Sequence, residues 1–235
     1  MRSTCPRCLR PSAFCVCRGL VPVITTTRVV LLQHPREARL AICSAWLTRL
    51  ALANCELHRG VRFESDGAVQ QLASQPGAAL LYPDGASIQA TELAAPPPAL
   101  FVMDGTWLQS EKMLTANPRL AALPRVRVAA AAVSGYRDLR REPAPHCLST
   151  LEAVALALGE LEGEPSRFEP MREAFRRMVD LQLACSQDGR RSPRHRRPAA
   201  EPHGRRGRQP LLRRSSQRTV KARPHTTAPS RPARA

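Results

Sequence analysis

The sequence predicts an α/β domain with a mostly parallel sheet, preceded by a small cysteine-rich segment and followed by a disordered basic tail. Short apolar runs rich in strand formers alternate with helical patterns, at the spacing typical of β-α units. Four cysteines lie within the first 17 residues, and the last 50 residues are rich in Arg and Pro without hydrophobic periodicity. A chain of 235 residues is long enough for one domain with a substantial core.

The first segment, residues 1–22, is predicted to hold a structural zinc ion. Cys5 and Cys8 form a C-x-x-C pair, and Cys15 and Cys17 form a C-x-C pair six residues later. Four thiolates can complete a tetrahedral zinc site and leave no open position for catalysis. The alternative is that these four thiols carry no metal.

The chain is expected to be cytoplasmic and to have no membrane partner. It contains no apolar stretch of about 18 residues, and cysteines stand where a signal peptide would have its apolar core. Thiols stay reduced in the cytoplasm, so the eight cysteines are interpreted as metal ligands or core residues. Those predicted to lie in the core are Cys43, Cys55, Cys147 and Cys185.

The main domain, predicted over residues 23–185, begins with an apolar strand at 28–32. A helix is predicted over 36–53, because four residues at helical spacing would supply one apolar face. These residues are Leu40, Trp46, Leu47 and Leu50. A second buried strand, 78–82, is stopped by a Pro-Asp-Gly turn.

The domain is organised around the stretch 100–109, which is predicted to form a buried strand, a tight turn and a helix. The apolar run ends at Asp104, and Thr106 with Gln109 has the spacing of a capping box at a helix that begins with Trp107. Ligands of parallel sheets bind at the carboxyl ends of strands, so a carboxylate there is well placed for chemistry. The alternative is that Asp104 only decorates the turn.

A further strand is predicted over 126–132, followed by an arginine-rich loop. Ser149 and Glu152 repeat the capping-box spacing and open a helix to about residue 161, and a last helix is predicted over 170–184. Helix N-termini attract anions, so this loop could hold a carboxylate or a phosphate. The alternative is a solvated charged loop.

The tail, residues 186–235, carries 15 Lys and Arg residues against two acidic ones, which is +13 of the total formal charge of +17. Its composition predicts disorder. A basic tail of this kind is typical of proteins with a polyanionic partner, most often nucleic acid. A solvated extension without function is the alternative.

The tetrapeptide Asp104-Gly105-Thr106-Trp107 resembles the Asp-x-Thr-Trp signature of the DTW-domain proteins, the tRNA-uridine aminocarboxypropyltransferases. Further blocks look like family blocks in family order, and with the signature they span residues 5 to about 180. They are the four N-terminal cysteines, His34-Pro35-Arg36-Glu37, Leu81-Tyr82-Pro83, Ser134-Gly135-Tyr136-Arg137 and Leu148-Ser149-Thr150-Leu151-Glu152. The chain departs from the family at Leu40-Ala41-Ile42-Cys43, where many members have Asn-Thr-Gly.

The resemblance implies a transferase that uses S-adenosylmethionine (SAM) as donor of a 3-amino-3-carboxypropyl group. The implied acceptor is N3 of a uridine in tRNA, and 5′-methylthioadenosine leaves. The implied fold is similar to that of the SPOUT class of RNA methyltransferases, which is knotted at its C-terminal side and holds SAM in the knot loops. The expected partner is tRNA, and the oligomeric state stays open.

The chemistry of the implied reaction suggests roles for particular residues. Asp104 is the expected general base for the N3 proton, and Arg137 and Arg140 are expected to pair with the SAM carboxylate. Trp107 would either stack on a base or pack in the core. The residues expected to bind SAM are Leu81, Pro83, Thr106, Ser134, Tyr136, Arg137, Arg140, Ser149 and Thr150.

The residue patterns alone leave two other functions open. A non-catalytic, zinc-containing RNA-binding protein would account for the four cysteines and the basic tail. A SPOUT-type RNA methyltransferase would use the same donor and transfer its methyl group. The resemblance favours aminocarboxypropyl transfer over both.

Overall fold

A computed structural model describes residues 3–40, 42–129, 134–136 and 148–187. The strands and helices of these ranges are β1 (Arg28–Gln33), α1 (Ser44–Ala51), β2 (Cys55–Arg59), α2 (Gly67–Ala73), β3 (Ala79–Leu81), β4 (Ile88–Gln89), β5 (Ala99–Asp104), α3 (Trp107–Thr115), α4 (Pro118–Ala121), β6 (Arg125–Arg127), α5 (Thr150–Glu162) and α6 (Glu169–Gln187). The six strands form one sheet in the order β2-β1-β5-β3-β6-β4. All its pairings are parallel, which confirms the predicted α/β class.

The sheet is covered by helices on both faces. Successive residues of a strand point to opposite faces, so Val29 and Leu31 of β1 pack with α1, α5 and α6. Val30 and Leu32 pack on the other face with α2, α3 and α4. A strand buried on both faces needs apolar residues at nearly every position, which explains the continuous apolar run of β1.

The predicted helix over 36–53 is wrong in its first half. A short 3₁₀ helix, Glu37–Arg39, is followed by extended backbone at Leu40 and again at Cys43, so α1 begins only at Ser44. Leu40 is 43 % exposed and does not belong to the apolar face of α1. Its helical spacing from Trp46 is a coincidence that periodicity alone does not reveal.

The predicted strand over 126–132 is also too long. It ends at Arg127, the residues at 128 and 129 are not paired, and residues 130–132 lie outside the described ranges. Alanine has little preference for strands. Ala129 donates its backbone N–H to the Glu160 carboxylate at 2.9 Å instead of to a neighbouring strand.

The N-terminal cysteine segment packs on the same face of the sheet as α1, α5 and α6. Cys8, Cys17 and Leu20 are buried in that core. Arg10 donates through Nη2 to Sδ of Met178 in α6, at 3.1 Å. The segment is therefore attached to the domain by hydrophobic contacts and by this hydrogen bond.

The cysteines outside this segment agree with their predicted place where they are described. Cys55 and Cys185 are buried, Cys43 is half-buried, and Cys147 lies outside the described residues. The seven described cysteines of the chain are free thiols. Within the described ranges, no helix has both the length and the hydropathy of a membrane span.

Several predictions are not tested by the described residues. The domain limits at residues 22/23 and 185/186, the disorder of the tail and the knot stay predictions. Residues 188–235 are not described, and neither are the segments 130–133 and 137–147 that lead into α5.

Gly159→Ala is expected to destabilise the fold. A Cβ at Gly159 would lie 2.9 Å from Cα of Pro165, so backbone must move to admit it. We expect a loss of about 1–3 kcal/mol in urea unfolding, although alanine is the better helix former. In Gly67→Ala, where no atom lies within 4 Å of the new Cβ, the same change should stabilise α2 slightly. Equal stability of both variants would contradict this account.

Candidate active site

Three polar residues form a row across the carboxyl ends of neighbouring strands. In the register of the sheet, Gln33 of β1 pairs with Arg59 of β2 on one side and with Asp104 of β5 on the other. Alternation along the strands turns all three toward the face that carries α1, α5 and α6. We call Arg59, Gln33 and Asp104 the polar row.

The row lies at the point where the chain changes direction across the sheet. After β1 the chain passes through α1 to β2 at one edge, whereas after β5 it passes through α3 and α4 to β6 on the other side. The helices that follow β1 and β5 cover opposite faces. In open parallel sheets the crevice at such a switch point binds the ligand, so the geometry identifies the ends of β1 and β5 as the candidate site.

Asp104 is held by two side chains that donate hydrogen bonds to its carboxylate. Gln33 Nε2 donates to Oδ2 at 2.8 Å, and Thr150 Oγ1 donates to Oδ1 at 2.6 Å. Asp104 is 6 % exposed. Both donors favour the ionised carboxylate. These two bonds contribute to the orientation of the Asp104 carboxylate.

The residues that follow Asp104 in the motif form the turn and the cap of α3. Thr106 is the N-cap of α3: its hydroxyl accepts from the Gln109 N–H at 3.3 Å, and its own N–H donates to the Gln109 side chain at 2.8 Å. A Cβ on Gly105 would lie 3.1 Å from Cβ of Gln109, so the turn has little room. The cap of α3 is thus Thr106, and the Asp104 carboxylate accepts from Gln33 and Thr150.

Gln33 is fully buried and connects the polar row to the segment before α1. Its Nε2 also donates to Sγ of Cys43 at 3.0 Å, and its Oε1 accepts from Nε of Arg59 at 3.0 Å. Burial, together with the charge of Asp104, raises the pKa of the Cys43 thiol. The guanidinium of Arg59 lies over the ring of Trp46, 6.0 Å from its centroid.

The capping box predicted at α5 is formed, and it ties a loop to the site. The Ser149 hydroxyl accepts from the Glu152 N–H at 3.2 Å, and the Glu152 carboxylate accepts the N–H of Ser149 at 3.0 Å and that of Gly135 at 2.7 Å. A Cβ at Gly135 would lie 2.9 Å from this carboxylate. Thr150, the next residue, donates one of the two hydrogen bonds that hold Asp104.

Two residues of the predicted SAM set lie in the core. Tyr136 is 3 % exposed; its ring packs edge-on against Phe175 at 5.0 Å, and its hydroxyl donates to the Ile42 carbonyl at 3.2 Å. Leu81 is buried at the end of β3. Ser134 is half-buried, and its hydroxyl accepts from the Tyr136 N–H at 3.3 Å.

The other predicted SAM ligands are placed differently. Pro83 is exposed in the loop after β3. Arg137 and Arg140, the predicted partners of the SAM carboxylate, lie outside the described residues. The structure therefore brings Thr150 to Asp104 but does not describe the expected cationic part of the site.

Trp107 lies at the surface beside the site and not in the core. It is 41 % exposed, and its ring meets Tyr82 edge-on at a centroid distance of 5.8 Å. The Arg125 guanidinium lies 5.7 Å from the Tyr82 centroid. This aromatic pair follows β3 and β5, on the side of Asp104 opposite to Arg59.

The four N-terminal thiols are arranged as a ligand set, and among the described residues theirs is the group that could hold a metal ion. All four Sγ atoms lie within 4.8 Å of one another, and Cys15 Sγ lies 3.6 Å from those of Cys5 and Cys17. A tetrahedron with Zn–S bonds of about 2.3 Å has S–S edges of about 3.8 Å. The backbone N–H groups of Cys8 and Arg7 lower the pKa of Cys5 to about 6.

Sequence reasoning missed Gln33 and Arg59. Gln33 is a polar residue at the end of an apolar strand, the same signal that identified Asp104, and it could have been found in that way. Arg59 follows a strand that was not predicted, so no local signal placed it at the site.

Comparison with known proteins identifies the family to which the domain with Asp104 is similar. The model of a family described as DTW domain matches residues 2–183. Drosophila melanogaster tRNA-uridine aminocarboxypropyltransferase 2 is 31 % identical over 191 residues, covering 77 % of this chain and 76 % of the relative. Arabidopsis thaliana tRNA-uridine aminocarboxypropyltransferase A is 31 % identical over 202 residues, covering 72 % and 76 %. The Mus musculus protein named tRNA-uridine aminocarboxypropyltransferase 2 is 29 % identical over 192 residues, covering 77 % and 64 %. No solved structure matches the chain.

Proposed function

The chain belongs to the DTW domain family, and from this premise we propose that it is a tRNA-uridine aminocarboxypropyltransferase. It transfers the 3-amino-3-carboxypropyl group of SAM to N3 of a uridine in tRNA and releases 5′-methylthioadenosine. The observation that carries the proposal is the buried Asp104 carboxylate at the switch point of the sheet. This residue is the first of the Asp-x-Thr-Trp signature of the family. The shared name of the relatives supports an enzyme of this kind, and a tRNA substrate is consistent with the cytoplasm.

Asp104 acts as the general base. SAM, when bound, supplies an activated carbon next to its sulfonium sulfur. The N3 atom of uridine forms the new bond to the γ-carbon of the methionine arm while the carbon–sulfur bond breaks, and the sulfur keeps the electron pair. Asp104 takes the N3 proton, for which it is prepared by the Gln33 and Thr150 hydrogen bonds that favour its ionised form.

Orientation of the donor decides which carbon reacts. We assign Arg137 and Arg140 to the α-carboxylate of SAM, since an arginine can pair with a carboxylate through two parallel hydrogen bonds. Tyr136, which precedes these arginines in the chain, is buried in the core, and Ser149, which follows them, caps α5 next to Thr150, the donor to Asp104. The other members of the proposed SAM site are Leu81, Pro83, Thr106, Ser134 and Thr150.

Two features support RNA as the partner. The exposed Trp107 offers a ring on which an unpaired base can stack. The tail carries +13 of the formal charge, which favours binding to a phosphate backbone. We further propose that the N-terminal thiols bind one zinc ion, whose role is structural because four protein ligands leave no open position.

The spent donor distinguishes the proposed reaction from methyl transfer. The full chain is incubated with SAM and bulk tRNA, the small molecules are separated by chromatography, and the nucleosides are analysed by mass. We expect tRNA-dependent 5′-methylthioadenosine and a uridine carrying the aminocarboxypropyl group. A reaction without tRNA is the control. Adenosylhomocysteine with a methylated nucleoside would overturn the proposal in favour of a methyltransferase, and binding of tRNA without either product would favour an RNA-binding protein.

A further inference from the structure

The polar row contains a residue whose side-chain orientation is determined by its neighbours. Arginine can only donate hydrogen bonds, and an ionised carboxylate can only accept them. The amide of Gln33 lies between one of each, 3.0 Å from Arg59 Nε and 2.8 Å from Asp104 Oδ2. Its oxygen must therefore face Arg59, and its two N–H groups must face Asp104 and Cys43. The opposite orientation would place the amide oxygen against the carboxylate.

Arg59, at the outer end of the row, is itself positioned by packing. Its guanidinium lies over Trp46, and the Trp46 Nε1–H donates to the backbone carbonyl of Arg7 at 3.3 Å. The contacts thus continue from the cysteine segment through α1 and β2 to the amide of Gln33. The last contact in this series is the hydrogen bond from Gln33 to Asp104.

We propose that Gln33 and Arg59 are positioning residues, which hold the Asp104 carboxylate in its ionised form and in one orientation. Arg59 acts through Gln33: it fixes the amide so that an N–H, and not the carbonyl oxygen, faces Asp104. Gln33 is fully buried and Asp104 nearly so, hence water does not replace this donor. The role of Asp104 as base rests on the proposed function, but its positioning by the row is independent of the reaction.

Other charged and titratable groups lie on the elements near Asp104, and all of them are retained in the variants compared below. They belong to the residues after β1, before α1, after β3 and in the first turn of α5. The charged and titratable residues of these segments are His34, Arg36, Glu37, Arg39, Cys43, Tyr82, Asp84 and Glu152.

The inference is tested by the titration of Asp104 itself. The full chain, labelled with ¹³C in its aspartate carboxyl groups, is titrated by NMR, and the Asp104 signal is identified by its loss in Asp104→Asn. Gln33→Met removes the N–H donor while keeping the side-chain length, so the carboxylate loses a group that stabilises its charge. We expect the pKa of Asp104 to rise by about one unit. The acidic limb of the rate of transfer should move to higher pH by the same amount, while KM for tRNA stays unchanged.

Arg59→Met provides a second variant, because Arg59 is exposed and its loss does not open the core. It should raise the pKa of Asp104 by about half a unit in the wild-type background. In the Gln33→Met background, Arg59→Met should change the pKa of Asp104 no more than Arg62→Met does. Arg62→Met is a matched control that removes one exposed charge from the same segment. The reason is that Arg59 then has no amide to orient.

Two results would overturn the inference. One is an unchanged Asp104 titration in Gln33→Met, and the other is an equal effect of Arg59→Met in both backgrounds, which would mean that Arg59 acts by its charge alone. Neither result depends on turnover. A wild-type chain that releases no methylthioadenosine would instead defeat the proposed function and leave the titration result standing.

Discussion

Asp104→Asn is expected to lower the rate of aminocarboxypropyl transfer by about 10²–10⁴-fold, the range for loss of a general base. The amide has nearly the volume of the carboxylate, but it cannot take the N3 proton of uridine. It also brings an NH₂ group against Gln33 or Thr150, both of which donate to Asp104 in the wild type. The measurement is a single-turnover assay at saturating SAM and tRNA, with release of methylthioadenosine as the readout.

Asp180→Asn is the matched control for this substitution. It makes the same chemical change at an exposed position of α6, and the rate should stay within about two-fold of wild type, as for surface changes away from a site. Thermal unfolding of both variants shows whether they are folded. A folded Asp104→Asn protein with nearly normal turnover would remove Asp104 as the base, while the identity of the reaction would still be decided by the products.

Loss of the proposed zinc site is expected to have the largest effect on stability. Cys8 and Cys17 are buried on the face that carries α1, α5 and α6, so a serine there leaves both an incomplete ligand set and a buried hydroxyl. We expect one zinc per chain in the wild type and none in Cys8→Ser or Cys17→Ser. Tm should fall by about 10 °C or more, because loss of a structural metal belongs to the few mechanisms that cost several kcal/mol.

Cys55→Ser separates the metal from the loss of a thiol. Cys55 is as buried as Cys17 but lies in β2, outside the cluster. This variant should be less stable than wild type yet keep its full zinc content by elemental analysis. Zinc retained after substitution of Cys8 or Cys17, or absent from the purified wild type, would contradict the assignment.

Local signals predicted those parts of the fold that depend on neighbours in the chain. The hydroxyls of Thr106 and Ser149 cap their helices as their spacing from Gln109 and Glu152 indicated, since a capping box involves only four consecutive residues. The apolar run of β5 ends at Asp104 as predicted. The four N-terminal cysteines come together because short turns bring each pair to one point.

Elements without a strong local pattern were not predicted. The strand β2 has the sequence Cys-Glu-Leu-His-Arg and is partly exposed at the edge of the sheet, and β4 has two residues. Both exist because a neighbouring strand offers its hydrogen-bonding edge, which is a tertiary interaction. The error at Leu40 has another cause: tertiary packing decides which apolar residues are buried, and Leu40 remains exposed.

The sequence by itself determined that a carboxylate ends a buried strand, that two helices begin with capping boxes, and that four thiols have the spacing of a metal-ligand set. Tertiary structure alone decided which side chains meet at that carboxylate. Gln33 lies 71 positions and Thr150 46 positions from Asp104 along the chain. They reach it because parallel pairing aligns β1 with β5 and because α5 packs on that face of the sheet. Such contacts depend on register and packing, which no local pattern of residues encodes.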